Sequence, residues 1–231
     1  MTAPLALALL LAAGRGAAPA EAPTRFVVAA GDIATCPGGQ QAATAALVDG
    51  LLPATLRAGT AVVAVLGDNA YERGTKEEYD ACYDASWGRH KWRTRPAAGN
   101  HEYLTPGADG YFSYFGTAAG DPARGYYSYE LGAWHVVVLN SNCSAIGGCE
   151  AGSAQETWLR ADLAAHPRAC TLAYWHHPRF SSGAVHGSNA ALGDIWKILA
   201  EAGADVALAG HEHFYERFAP LDGGGTPAAA G

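Results

Sequence analysis

Residues 61–71 read Ala-Val-Val-Ala-Val-Leu-Gly-Asp-Asn-Ala-Tyr, an apolar run that ends abruptly in glycine and polar side chains. Six consecutive apolar residues, three of them valine, are typical of a strand that is buried on both faces. Gly67 permits a sharp turn, after which Asp68 and Tyr71 follow the carboxyl end of the strand. Binding crevices of α/β folds form at the carboxyl ends of strands, so this segment predicts a buried strand and a candidate site beside it.

Similar patterns recur along the chain and predict an α/β alternation. The further apolar runs that we predict to be buried strands are 26–30, 134–139, 171–175 and 205–209. The segments with helical periodicity are 40–52, 76–86, 153–165 and 189–202. The Gly-rich aromatic stretch 111–129 favours short strands and loops instead.

Composition limits the class of protein. The chain has 231 residues, of which 49% are hydrophobic, which suits one globular domain or a domain with a small appendage. Its formal net charge of −7 argues against the broad cationic surface of a general nucleic-acid-binding protein. We predict a catalytic domain over 24–220 and a flexible tail over 221–231, and the sequence leaves the oligomeric state open.

The N-terminal segment favours export. Its apolar run 4–13 is too short to span a bilayer, and Ala18-Pro19-Ala20 has the small-residue pattern of a cleavage site. We therefore predict a secretory signal over 1–20, no membrane span, and a secreted, periplasmic or cell-envelope location. A frayed apolar tail is the alternative, because no Lys or Arg precedes the run.

The five cysteines fit no close-paired zinc pattern. Cys143 and Cys149 flank a short Gly-containing loop and are predicted to form a disulfide. Cys36 and Cys82 lie in loop sequence and are candidates for a second pair, while Cys170 enters a predicted strand and is expected to be a buried thiol.

Side chains of the types that bind metals follow four of the predicted strands. Others lie within one turn, Gly99-Asn100-His101-Glu102. Seven of them are candidate metal ligands: Asp32, Asp68, Tyr71, Asn100, His176, His211 and His213. Seven donors are too many for one ion, but two ions that share a carboxylate can use them all. Oxygen and imidazole donors without thiolate suit Fe, Mn or Zn.

The sequence also predicts the directions of the paired histidines and the positions of the histidines outside the motifs. His211 and His213 are expected to point the same way in an extended segment, so that each reaches one ion. His177 is expected to point away from His176 on a strand. No motif supports His90, His135 or His166, so we predict surface or packed positions for them.

Five sequence blocks, in order, resemble the calcineurin-like metallophosphoesterases and, within them, the purple acid phosphatases. The blocks are Gly31-Asp32, Gly67-Asp68-x-x-Tyr71, Gly99-Asn100-His101-Glu102, His176 and Gly210-His211-x-His213. Ala34 stands where most of the superfamily has a histidine, and Tyr71 matches the phenolate ligand of the purple acid phosphatase branch. The resemblance implies a β-sandwich of two mixed sheets flanked by helices, with an α/β/β/α layering. The chain is short for the family, so we expect C-terminal strands of the second sheet to be truncated.

The resemblance also implies roles for the site residues. Asp32, Tyr71 and His213 match the ligands of a first, typically ferric, ion. Asn100, His176 and His211 match those of a second, divalent ion, and Asp68 matches the bridge between them. The expected cofactors are therefore two metal ions, Fe with Zn, Mn or Fe.

The implied activity is hydrolysis of a small phosphate monoester by a metal-bound hydroxide that attacks phosphorus. His101 matches the family's second-sphere imidazole, and His186 lies about where the family places its leaving-group histidine. Either is a candidate to give the leaving group a proton. A phosphodiesterase or nucleotide hydrolase would use the same site. An alternative from another class of function is a catalytically impaired protein that binds metal or a ligand.

Overall fold

Strands and helices of the computed structural model are described for residues 24–52, 59–168 and 170–228. The secretory signal predicted over 1–20 lies outside these residues. The strands are β1 Phe26–Ala30, β2 Ala34–Thr35, β3 Ala61–Leu66, β4 Ala70–Tyr71, β5 Thr94–Ala97, β6 Tyr127–Leu131, β7 Trp134–Val138, β8 Cys170–Tyr174 and β9 Val206–Leu208. The α-helices are α1 Gln41–Leu51, α2 Lys76–Glu78, α3 Asp109–Phe115, α4 Ala154–Ala165 and α5 Gly193–Glu201.

Two main sheets form the centre of the molecule. The first has the order β1-β3-β5 and is parallel throughout. The second has the order β6-β7-β8-β9 and is mixed, because β6 runs antiparallel to β7 while β7, β8 and β9 are parallel. A small pair, β2-β4, extends beyond the first sheet. The expectation of two mixed sheets therefore holds for the second, whereas the first is wholly parallel.

Alternating side chains along the strands sort into separate hydrophobic clusters. In β3, Val62 and Leu66 pack between the sheets, and Val63 and Val65 face the helical layer of the first sheet. In β7, Val136 faces the other sheet, whereas Val137 packs with residues of α4 and α5. The result is the predicted α/β/β/α layering, in which both sheets have a covered outer face.

The five predicted strands are confirmed in position to within one or two residues. Their predicted burial is confirmed for β3 and for most of β7 and β8, whereas β1 and β9 are partly exposed, because each lies at an edge of its sheet. Helix α4 begins after Ser153, whose hydroxyl accepts the amide of Glu156. The Glu156 carboxylate accepts from Gly152 N at 3.2 Å. The predicted helix 189–202 is a 3₁₀ turn, Ala190–Leu192, that continues into α5.

The expectation of strands and loops across 111–129 was wrong for its first part, where the chain forms α3. Tyr111, Tyr114 and Phe115 lie three and four residues apart and so share one helical face. Tyr114 and Phe115 pack onto Tyr79 and Tyr83, and Tyr111 packs against Phe115. These contacts compensate for the weak helix propensity of aromatic residues. The second part forms the 3₁₀ turn Gly116–Ala119 and β6, as the pattern suggested.

The predicted helix over 76–86 changes its winding after one turn. Thr75 caps α2 in a reciprocal pair with Glu78. A π-helical turn, Tyr79–Tyr83, follows, and the amide of Asp84 donates to Tyr79 O. This winding accompanies the burial of both Tyr79 and Tyr83 in one core.

Both cysteine pairs are present. Cys143 is linked to Cys149, as predicted, and Cys36 is linked to Cys82, which joins the loop after β2 to the π-helical turn. Cys170 is the free thiol among the described cysteines, but it is half-buried and not buried as predicted, because it is the first residue of β8.

The last described segment, 221–228, forms a turn closed by a bridge between Leu221 and Pro227. It contacts α5, because the indole Nε1 of Trp196 donates to Asp222 O. Among the described residues, no helix has the length and hydropathy needed to cross a membrane.

Candidate metal centre

The loops after the strands turn sharply at the candidate ligands. Asp32, Asp68 and His211 have positive φ angles of 57°, 49° and 73°, in a region that side-chain-bearing residues rarely occupy. Such backbone conformations persist only where the surrounding structure enforces them, and they concentrate at functional sites. Gly99 is required for a different reason, because a β-carbon at that position would collide with Asp68.

A first group of donors surrounds the hydroxyl of Tyr71. This hydroxyl lies 3.0 Å from Asp32 Oδ1, 3.3 Å from Asp68 Oδ2 and 3.3 Å from His213 Nε2. His213 Nε2 is also 3.4 Å from Asp32 Oδ1. Donors from three loops therefore meet at one point.

A second group surrounds Nε2 of His176. This nitrogen lies 3.2 Å from Asp68 Oδ2, 3.1 Å from Asn100 Oδ1 and 3.1 Å from His211 Nδ1. Asp68 Oδ2 thus belongs to both groups. The structure brings all seven predicted ligands together, in the same two sets of three around a shared carboxylate that the sequence resemblance implies.

His176 is oriented by the end of β3. Its Nδ1 contacts the carbonyl oxygen of Leu66 at 2.8 Å, and because a carbonyl only accepts, Nδ1 carries a hydrogen. Nε2 is left to face the other donors, as a metal-ligating imidazole requires. The side chain is fully buried.

His211 and His213 reach different groups, as expected, but not for the expected reason. The segment is a bend rather than an extended strand, and the positive φ of His211 turns its ring toward His176. His213 then returns toward Tyr71 and Asp32.

Glu102, the last residue of the Gly99-Asn100-His101-Glu102 turn, binds backbone amides and is not one of the candidate ligands. The carboxylate is fully buried and accepts hydrogen bonds from the amides of Gly99, Asp68 and Asn69. Burial raises the pKa of Glu102 to about 7. Glu102 thereby joins the loops that carry Asp68 and Asn100.

The electrostatics of the site suit cations. Burial, with Asp68 alongside, raises the pKa of Asp32, and burial together with both aspartates raises that of Tyr71. Burial and the neighbouring His176 lower the pKa of His211 to about 4, so its imidazole is neutral near pH 7 and keeps a lone pair. Acidic oxygens that disfavour one another's charge, beside the neutral imidazole of His211, are a donor set that divalent and trivalent cations would stabilise. The residues therefore fit a pair of metal ions.

Both predicted catalytic histidines border the site. His101 donates its amide to Asp68 Oδ1, and its Nδ1 contacts the carbonyl oxygen of Glu72 at 2.6 Å. Its Nε2 is 3.9 Å from Asp68 Oδ2. The ring of His186 lies over that of His211, with centroids 4.3 Å apart.

His177 lies closer to the site than the sequence suggested. Strand β8 ends at Tyr174, so strand alternation does not apply, and the rings of His177 and His211 are 4.4 Å apart. The hydroxyl of Ser141 contacts His177 Nδ1 at 2.8 Å, and burial, with His176 and His211, lowers the pKa of His177 to about 3. The adjacent pair His176-His177 was the available signal, but the position of Ser141 was not visible in the sequence.

The chain is similar to plant purple acid phosphatases in sequence. It is 26% identical to Purple acid phosphatase 18 of Arabidopsis thaliana over 74% of this chain and 47% of the relative. It is 30% identical to Purple acid phosphatase 23 of the same plant over 62% of this chain and 34% of the relative. The chain thus spans less than half the length of these relatives.

Two solved structures share the fold. Purple acid phosphatase PPD1 from yellow lupin seeds matches 80% of this chain and 37% of its own, with a TM-score of 0.60 and 17% identity. GAP50, described as the anchor in the inner membrane complex of Plasmodium, matches 83% of this chain and 67% of its own, with a TM-score of 0.58 and 12% identity.

The family model for calcineurin-like phosphoesterases matches residues 27–215, which include every candidate ligand. This match covers most of the chain, and the sequence relatives agree with it. The chain belongs to the calcineurin-like phosphoesterase family, and its sequence relatives support the purple acid phosphatase-like branch.

Proposed function

We propose that the chain is a binuclear metal-dependent hydrolase of phosphate monoesters. The observation that carries the proposal is the shared position of Asp68 Oδ2, which lies within 3.3 Å of both Tyr71 and His176. A carboxylate between two sets of donors is the arrangement that two adjacent ions need. The branch of the family favours a phosphate monoester as the substrate.

Each ion would have its own ligands. Asp32, Tyr71 and His213 would hold the first, an iron, and Asn100, His176 and His211 the second, which we expect to be Zn, Mn or Fe. When bound, such ions supply positive charge that binds phosphoryl oxygens and lowers the pKa of water.

The chain's own residues would orient the reaction and move protons. The Leu66 carbonyl fixes the ring of His176, and Glu102 fixes the loop of Asp68. The contact of His101 Nδ1 with Glu72 O leaves Nε2 as the nitrogen that faces the site, where it would donate a proton to a leaving-group oxygen.

His186 is the second candidate proton donor. Its loop is tied to the segment that carries the ligands His211 and His213, because Glu212 Oε1 accepts the amides of His186 and Gly187. The side chain is exposed above the site, where a leaving group would depart.

We expect export to a secreted, periplasmic or cell-envelope location, where small phosphorylated compounds would be the substrates.

Turnover of p-nitrophenyl phosphate and of its bis-ester tests the proposal directly. We expect the metal-loaded chain to hydrolyse the monoester faster. Asp68→Ala should lose more than about 10²-fold in rate, because it removes the shared ligand rather than a residue that only orients one. His186→Ala should lose about 10²-fold, as expected for a proton donor, and retain its metal.

Asp121→Asn is the matched control, because this exposed aspartate lies outside the site and should leave turnover unchanged. Faster hydrolysis of the bis-ester would instead indicate a phosphodiesterase. If the chain held two metals and turned over neither ester, it would be a catalytically impaired binding protein. GAP50, which shares the fold and is described as an anchor, is the reason to keep a catalytically impaired binding protein as the alternative function.

A further inference from the structure

A second cluster of ligand-type side chains lies on the outer face of the second sheet, away from the metal centre. It consists of His135 on β7 and of Asp162 and His166 at the end of α4, and each offers a ligand atom within 4.8 Å of the others. His135 pairs with Thr171, three residues before β8 ends at Tyr174, and His176 lies beyond that end. The strand alone therefore separates the two sites by roughly 10 Å.

We propose that His135, Asp162 and His166 bind one Zn²⁺ ion. Two imidazoles and a carboxylate from a strand and a helix form a three-ligand set, a composition that zinc accepts readily. Zinc also binds nitrogen and oxygen donors more tightly than Mn²⁺ or Fe²⁺ does.

His135 is already oriented for this role. It is 1% exposed, and its Nδ1 lies 3.0 Å from Glu130 Oε1, the residue directly opposite it on β6. Arg168 in turn holds the other oxygen of Glu130 at 2.8 Å. A carboxylate on one imidazole nitrogen orients the ring and makes the other nitrogen a better ligand. That other nitrogen, Nε2, faces Asp162 Oδ2 at 2.7 Å.

Asp162 is held in a similar way. Its Oδ1 accepts a hydrogen bond of 2.8 Å from the hydroxyl of Ser128, which leaves Oδ2 toward His135. Asp162 lies in the last turn of α4, and His166 caps the helix. The carbonyl end of a helix carries partial negative charge and so favours a cation there.

His166 supplies the adjustable ligand. Its ring is stacked on that of His135 with centroids 4.8 Å apart and an interplanar angle of 10°. Parallel rings cannot both point a nitrogen at one ion, so His166 must turn on binding. Its side chain is 43% exposed, so the ring has room to turn once the contact of its Nδ1 with the carbonyl oxygen of Asp162, at 2.8 Å, is released.

Binding would also release a proton. Where a hydrogen of His135 Nε2 is shared with Asp162, Zn²⁺ would take its place and the proton would pass to solvent. Zinc affinity should therefore fall as the pH is lowered, in a cluster whose charged and titratable members are Glu130, His135, Asp162, His166 and Arg168.

Zinc binding to the full chain in an Asp68→Ala background separates this cluster from the main centre. Equilibrium dialysis should show one Zn²⁺ fewer, or an affinity at least about 10-fold lower, when His166→Ala is added. Addition of Asp121→Asn instead should change nothing. Zinc should raise the melting temperature of the Asp68→Ala chain more than that of the double variant.

In an otherwise unchanged chain, His166→Ala should leave hydrolysis of p-nitrophenyl phosphate as it is, so the test does not depend on the proposed function. Equal zinc stoichiometry and affinity with and without His166→Ala would overturn the proposal. The cluster would then be a network of hydrogen bonds and ion pairs that stabilises the end of α4.

Discussion

Glu102 lies beneath the metal centre and organises it without being a candidate ligand. Its carboxylate accepts the amides of Gly99, Asp68 and Asn69, and the hydroxyl of Tyr79 donates to it as well. A buried acceptor with four donors is costly to replace, because each donor would lose its partner. The position of Asp68 therefore depends on a residue that is not itself a candidate metal ligand.

Replacement of Glu102 by glutamine tests this dependence. Glu102→Gln keeps the shape but places an NH₂ group against backbone N–H groups, so we expect a loss of about 2–3 kcal/mol in unfolding free energy. Metal affinity should fall about 10–100-fold. Urea unfolding and metal titration measure the two effects.

Glu77→Gln is the control for this variant, because Glu77 is exposed in the first turn of α2. It should shift the unfolding free energy by less than about 0.5 kcal/mol. Equal stability of the two variants would show that the Glu102 hydrogen bonds do not hold the loops.

Single residues differ in how far the sequence reveals them. Asp32 and Asp68 could be predicted as site residues, because each follows an apolar run and a glycine. Glu102 and His177 act through a backbone amide or a hydroxyl of a distant loop, and no residue pattern encodes such a contact. The cluster of His135, Asp162 and His166 was not predicted, because its members come from a strand and a helix with no shared motif.

At the scale of elements, the accuracy of prediction follows the length of the apolar run in each segment. The central strand β3 is buried along its whole length, and its bounds match the apolar run. Strands β2 and β4 are only two residues long, and β5 contains Pro96 at the edge of its sheet, so none of them has a readable pattern.

Helix α3 gives an element-scale prediction, because its stability rests on one aromatic face. Phe115 is 5% exposed and contacts Tyr79, Tyr83, Tyr111 and Tyr114. Phe115→Ala should lower the unfolding free energy by about 3–5 kcal/mol, measured by urea denaturation.

Ser113→Ala is the matched change on the exposed face of α3, and we expect an effect within about 0.5 kcal/mol. A similar small loss for both variants would mean that the aromatic face does not hold the helix in place.

At the scale of the whole molecule, the metal centre lies where the two sheets meet. Asp32 and Asp68 follow β1 and β3 of the first sheet, whereas His176 and His211 follow β8 and β9 of the second. Parallel strands within each sheet bring their carboxyl ends to one edge, and packing of the sheets brings the two edges together. The sequence predicted the common edge, but the division of the strands between two sheets came from the family resemblance and not from the residue pattern.

The central claim is that Asp68 is shared by two metal ions, and the number of metals bound per chain tests it most directly. Counting should use the His166→Ala chain, so that the proposed zinc site does not contribute. We expect two tightly bound ions per chain, and fewer than one when Asp68→Ala is added, because both ions lose a ligand. A single ion in the His166→Ala chain, or two ions that remain bound when Asp68→Ala is added, would contradict the account.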